Sequence, residues 1–175
     1  MSAMKTPPGL LATAKPPKDF NSEFTTNDLT LFLDNVADPG NVGTLIRVAD
    51  WFGLSGVVVS PQSADPIGPK ALQSAMGSTF HIPVVVRSFE DLPEEMKAHA
   101  IGLDAGGQDL FEVPFNSAPT LLVVGSESHG VSDEVKAGCH SMAAIPGAGR
   151  AESLNASVAG AIAVASIVQQ RRTMR

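Results

Sequence analysis

Ala143–Ala144–Ile145–Pro146–Gly147–Ala148–Gly149–Arg150–Ala151–Glu152–Ser153–Leu154–Asn155–Ala156–Ser157 contains one complete unit of this chain's architecture. An apolar run of strand length stops at a proline, the backbone passes two glycines, and an apolar stretch of helical length, Val158 to Val168, follows. Unpaired backbone N–H groups gather where a helix begins. Ser153 and Asn155 there are read either as N-terminal caps or as side chains that serve a ligand.

Upstream, the same unit recurs. Leu29–Leu33, Gly56–Val59, Ile82–Val86, Ala100–Leu103, Pro119–Val124 and Ser141–Ile145 are compact apolar runs. Between them the spacing predicts helices over Val42–Phe52, stopped by Gly53, and over Pro69–Met76, Ser88–His99 and Val131–Ala137, with a closing helix from Ser153 to about Arg171. Continuously apolar strands alternating with helices mean a parallel sheet with helices on both faces. The fold class is α/β. Residues 1–27, rich in Pro, Lys, Ser and Thr and without periodicity, read as an arm or linker, and 28–175 as one domain.

Composition narrows the function classes. The 175 residues are 43% hydrophobic and 17% charged, the balance of an ordinary globule. No apolar run approaches the ~20 residues of a membrane helix, and Met1–Phe20 lacks the apolar core of a secretory signal. One cysteine, Cys139, excludes an internal disulfide framework and a cysteine-built metal site and reads as a small buried hydrophobe of an intracellular, cytoplasmic protein. The four histidines, His81, His99, His129 and His140, have no ligand spacing, so no metal is expected. Net charge is −6, which does not advertise a nucleic-acid binder, yet Lys5, Lys15 and Lys18 near the start and Arg171, Arg172 and Arg175 at the end leave room for a local basic face.

Ligands of open α/β sheets bind beyond the C-terminal ends of the strands, and three exits there are polar and glycine-rich. The first, after Leu33, runs through Asp38–Pro39–Gly40–Asn41 to Arg47. Asn41 is a helix cap or a site residue. Arg47 is a solvated side chain, a partner for Asp50, or a fork for a phosphate, carboxylate or hydroxyl. The second is Gly125–Ser126–Glu127–Ser128–His129–Gly130, where Glu127 is a turn acid or an acceptor for substrate or Arg47, and His129 lacks a partner acid. The third is the segment quoted first. No Gly-x-Gly-x-x-Gly follows the first strand and no phosphate loop of the Gly-Lys-Ser/Thr kind occurs, which disfavours a generic nucleotide-binding protein.

Taken in order, Asp38–Pro39–Gly40–Asn41–Val42–Gly43–Thr44–Leu45–Ile46–Arg47, Val124–Gly125–Ser126–Glu127–Ser128–His129–Gly130, and Ile145–Pro146–Gly147–Ala148–Gly149 leading to Ser153–Leu154–Asn155–Ala156–Ser157 resemble the motifs of the SpoU/TrmH family of RNA ribose 2′-O-methyltransferases, within the SPOUT superfamily. Ser74–Ala75–Met76–Gly77–Ser78 before Ile82–Pro83–Val84 is a secondary match, and the resemblance extends from about Leu29 to Ile167. It implies a C-terminal trefoil knot, S-adenosyl-L-methionine as cofactor, RNA as substrate and a homodimer. By position, it implies that Gly125, Ile145 and Leu154 contact the cofactor, that Arg47 activates the ribose 2′-hydroxyl, and that Asn41, Glu127, Ser153 and Asn155 orient the site. Thr6–Pro7–Pro8–Gly9–Leu10–Leu11–Ala12 looks like the linker to an N-terminal RNA-binding domain in such proteins, which favours ribosomal over transfer RNA. The alternative is a non-catalytic RNA-binding or ribosome-associated module that keeps the fold, a reading supported by the acidic net charge.

Overall fold

A computed structural model describes residues 28–115 and 119–173. The arm expected over 1–27, with its extended piece at 6–12, lies outside the described residues, as does Arg175. Six strands form one parallel sheet: β1 (Leu29–Leu33), β2 (Gly56–Val59), β3 (Val84–Val86), β4 (Ala100–Asp109), β5 (Thr120–Val124) and β6 (Ser141–Ala144), in the order β3-β2-β1-β5-β4-β6. The helices are α1 (Pro39–Phe52), α2 (Pro69–Ala75), α3 (Glu94–Lys97), α4 (Asp133–Gly138) and α5 (Ala156–Thr173), with a 3-10 turn at Ser78–Phe80.

Alternation of side chains along a strand assigns the two faces. Leu31 and Leu33 of β1 point into a core built with Val42, Leu45, Ile46 and Ala49 of α1 and Ala163, Val164 and Ile167 of α5. Phe32 points the other way, into Phe89, Leu92, Met96 of α3 and Val135 of α4. Its ring meets that of Phe89 edge to face, 5.4 Å between centroids. Every residue of β1, β2 and β5 is buried, which is why these strands read as predominantly apolar runs.

Several expected boundaries move, each for a local reason. α1 begins at Pro39, because Asp38 and not Asn41 is its cap, its carboxylate accepting the N–H of Gly40 at 2.5 Å. The helix expected over Ser88–His99 shrinks to Glu94–Lys97: Pro93 disfavours helical backbone in the residue before it, and Ser88 instead donates to Asp91 in a turn (2.6 Å). β3 starts only after Pro83, which has no N–H to give the ladder. α5 starts at Ala156 and not at Ser153: Asn155 is the cap, its Oδ1 accepting the N–H of Ser157 (2.9 Å) and of Val158 (3.3 Å).

The largest departure is β4. Expected as Ala100–Leu103, it continues to Asp109 and meets β6 twice, Leu103 and then Gln108 both facing Ala143 across an irregular stretch. Gly107 makes that second approach possible, since a Cβ there would lie 2.6 Å from the backbone N of Ala143. Among the described residues no helix is long and apolar enough to cross a membrane.

Candidate active site

Strand order reverses around β1, with β2 on one side and β5 on the other, so the crevice lies beyond the ends of β1 and β5. The two exits are stitched together at their base. Asp34 N–H donates to Val124 O (2.9 Å), and the Asp34 carboxylate accepts the N–H of Ser132 (2.6 Å).

From the first exit, α1 rises out of its Asp38 cap. Lys70 of α2 pairs with that carboxylate at 2.9 Å, and this bond first, then the Gly40 N–H, holds Asp38 below the usual carboxylate range. One residue beyond Gly40, Asn41 donates through Nδ2 to Oε1 of Glu127 on the second exit. Arg47 lies on the third turn of α1, exposed, and makes no hydrogen bond or ion pair with any described residue. Of the alternatives for Arg47, the pair with Asp50 is not formed and the side chain is solvent-exposed. Asp50 is bonded to Ser78 and to His81 (2.9 Å from Nδ1), which lower its pKa in that order of importance, with burial opposing.

The second exit is a tight turn closed by reciprocal bonds, Ser126 N–H to Gly130 O (3.0 Å) and Gly130 N–H to Ser126 O (2.9 Å). Gly125 has no room for a side chain, because its Cβ would fall inside the backbone of Gly130 and Val131. The turn presents Glu127 outward, bonded to Asn41 and not to Arg47. His129 pairs with Ser128 Oγ (2.8 Å), and among the described residues no acid backs it as a base.

The third exit is a bare loop. Ile145 is half-buried against the core, Leu154 is 44% exposed, and Ser153 is exposed and makes no bond with described residues. Between residues 146 and 154 no backbone N–H or C=O has a backbone partner among the described residues. Two apolar side chains and a run of free backbone donors and acceptors are a chemically suitable set for a ligand that joins a flat apolar ring to polar groups, as an adenosyl cofactor does.

A fourth exit escapes the sequence reading. Asp104–Ala105–Gly106–Gly107 sits on the far reach of β4. Lys136 of α4 pairs with Asp104 at 2.6 Å, which, with the Gly106 N–H, lowers the Asp104 pKa and raises that of Lys136. The pair flanks Gly130, whose Cβ position is 4.0 Å from Asp104 Oδ2. The signal that finds it is a glycine pair after an apolar run, the same cue as at the other three exits. Among the described residues no cluster of three or more His, Cys, Asp or Glu could hold a metal.

Comparison with known proteins accords with this geometry. The SpoU rRNA Methylase family matches residues 28–165. The 23S rRNA (guanosine(2553)-2′-O)-methyltransferase RlmP of Bacillus subtilis is 38% identical over 164 residues, covering 91% of this chain and 64% of that protein. An uncharacterized tRNA/rRNA methyltransferase of Mycolicibacterium paratuberculosis is 38% identical over 82% of this chain and 48% of its own length. The crystal structure of the SpoU methyltransferase AviRb from Streptomyces viridochromogenes in complex with AdoMet superposes with a TM-score of 0.78 at 34% identity, over 84% of this chain and 62% of that one. The chain thus spans about half to two thirds of the length of these relatives.

Proposed function

The chain belongs to the SpoU rRNA methylase family, and from that premise we propose that it transfers a methyl group from S-adenosylmethionine to a ribose 2′-hydroxyl of RNA, ribosomal RNA before transfer RNA. The observation that carries the reading is the Asn41–Glu127 bond, which locks the first exit to the second and leaves Arg47, on the same helix as Asn41, without a partner among the described residues.

Each residue then has a task. Arg47 offers a planar fork of donors. It grips an RNA phosphate and the neighbouring 2′-hydroxyl, orienting the oxygen and easing the loss of its proton. Asn41 and Glu127 hold one another and so fix the wall against which the ribose lies. Ile145 and Leu154 cover an adenine ring, Gly125 lets the turn pass close to it, and Ser153 offers a free hydroxyl to the polar end. Asn155 acts through α5, whose start it caps. The cofactor, when bound, supplies an electrophilic methyl group. Alignment of the hydroxyl with that methyl contributes several kcal/mol, within the roughly 7–11 kcal/mol that positioning can supply.

The reading includes a knotted path and a homodimer, and a cytoplasmic place of work. Supporting the first, Gln108 and Asp109 at the end of β4 run beside β6, and beyond them Phe115 N–H donates to Gln170 of α5 (3.2 Å), so the chain leaving β4 lies against both later elements. Supporting the second, Trp51 of α1 (83% exposed) and Val158 of α5 (46%) are apolar side chains left open on two helices that pack together. Light scattering at micromolar concentration that gives a monomer would count against the dimer.

The direct test supplies methyl-labelled S-adenosylmethionine with bulk rRNA or tRNA, digests the product and assays 2′-O-methylnucleosides. Label in rRNA supports the proposal. Absence of label from both, with no cofactor binding by calorimetry, would turn the assignment to a non-catalytic RNA-binding module.

A further inference from the structure

Ser74–Ala75–Met76–Gly77–Ser78, at the end of α2, is the motif to which the methyl-transfer reading gives no task. It nonetheless runs alongside Arg47. Gly40, Gly43, Arg47 and Asp50 share one face of α1. On that face the missing side chain of Gly43 lets the Ala71 backbone of α2 come close, and Asp50 bonds to Ser78 and His81 beyond α2. Arg47 falls between these two contacts, so the turn that closes α2 passes beside it.

That turn holds two large apolar side chains in solvent. Phe80 is 56% exposed and Met76 71%. Met76 sits in left-handed backbone at φ 53°, its N–H on Leu72 O (3.1 Å), directly before Gly77 at φ 97°. A bulky residue costs more than glycine in that conformation, so a methionine there points to a use for the side chain and not to the needs of the turn. The footing beneath is firm. Phe80 N–H donates to Gly77 O and His81 N–H to Ser78 O, both at 3.0 Å, while Ser78 and Thr79 are buried. An aromatic ring and a thioether fixed in solvent beside an unpaired guanidinium match the chemistry of single-stranded RNA, a π face for a base and a cation for its phosphate.

We infer that Phe80 and Met76 form a platform on which an unpaired RNA base flanking the methylated ribose stacks. The inference rests on the methyl-transfer reading for the role of Arg47 and adds to it a specificity element. The ring of Phe80 takes the face of the base, Met76 adapts to its edge, and Arg47 holds the phosphate beside it. A base inside a duplex is stacked on its neighbours and offers no free face, so the platform selects single-stranded RNA. A purine covers more of the ring than a pyrimidine does, so it is preferred.

Fluorescence anisotropy of the full chain with end-labelled oligo(A), oligo(U) and the oligo(A)·oligo(U) duplex, all at one salt concentration, tests it. Oligo(A) is expected to bind tightest and the duplex weakest. Phe80→Ala weakens oligo(A) binding about tenfold, the worth of one stacked base, and Phe80→Trp restores it. Met76→Asn, a residue that tolerates left-handed backbone, weakens it by a smaller factor and serves if Phe80→Ala does not fold. S-adenosylmethionine affinity in calorimetry is the same in all three variants. No binding of oligo(A), a preference for the duplex, or wild-type oligo(A) affinity in Phe80→Ala overturns the platform. So does a loss of mass in light scattering by Phe80→Ala, which assigns the ring to contact between two copies. Failure of the methyl-transfer reading shows separately, as a wild type that neither binds S-adenosylmethionine nor labels rRNA or tRNA.

Discussion

Arg47 is an exposed cation on the third turn of α1 that no described carboxylate neutralises. Arg47→Ala therefore lowers methyl transfer by about 10² or more, the scale of losing one preorganised donor, while S-adenosylmethionine affinity stays within about twofold, since nothing places Arg47 against the adenosyl pocket. Arg47→Lys keeps the charge and loses the fork, and recovers little. Substantial turnover in Arg47→Ala would remove the role assigned to it. Asn41→Ala strips Glu127 of its partner and lowers kcat about tenfold, one hydrogen bond to a charged group, with cofactor binding unchanged in calorimetry. Gly125→Ala drives a methyl into the backbone of Gly130 and Val131. Backbone cannot swing aside, so about 1–3 kcal/mol of stability is lost, and an unaltered denaturation midpoint would contradict that packing.

At the scale of elements, α5 depends on its cap. Asn155→Ala costs about 1 kcal/mol, roughly 2–4 °C in melting temperature for a chain of this size, with methyl transfer falling through the loop it anchors; a melting temperature within error of wild type would show that the cap is dispensable. Which elements can be read in advance follows from where their information lies. β1 and β2 are legible to the residue because burial on both faces leaves apolar side chains at all but Thr30 and the glycine that opens β2. The starts of α1 and α5 shift because Asp38 and Asn155 compete with Asn41 and Ser153 as caps, and only the geometry of the turn decides. β4 outruns its apolar run because Asp104–Gly107 has the composition of a loop. Its far end is fixed by Gln108 and Asp109 facing Ala143 and Ala144 of β6, a pairing beyond any local pattern. The motifs single out Asn41, Arg47 and Glu127 as candidates in advance. The bond between Asn41 and Glu127 is not legible there, since it depends on the two exits being stitched at Asp34.

For the whole molecule, three depressed carboxyls, one raised thiol and the raised ammonium of Lys136 shape the response to pH. Asp38, Asp50 and Asp104 have folded pKa values lowered chiefly by Lys70, Ser78 and Lys136 respectively. Such groups add stability above the unfolded carboxylate value near 4 and lose it as pH falls through the folded ones, so the melting temperature is flat at neutrality and drops below about pH 4. Burial, and then the charge of Asp34, push the Cys139 thiol from 9.0 to about 11. The unfolded chain surrenders that proton first, so stability declines as pH climbs from 9.0 towards about 11. Cys139→Ala flattens that decline, and an equal slope in the variant would refute it. The bare stretch from 146 to 154 carries one further consequence, for the bench. Arg150 stands exposed on a backbone that forms no ladder or turn bonds with described residues, and unbonded exposed backbone is where proteases cut. Trypsin would nick the folded chain after Arg150, releasing α5 as a C-terminal fragment on denaturing gels, and a cofactor seated on Ile145 and Leu154 would slow that cleavage. The loop is thus a dye-free, RNA-free gauge of occupancy, read as a band that persists.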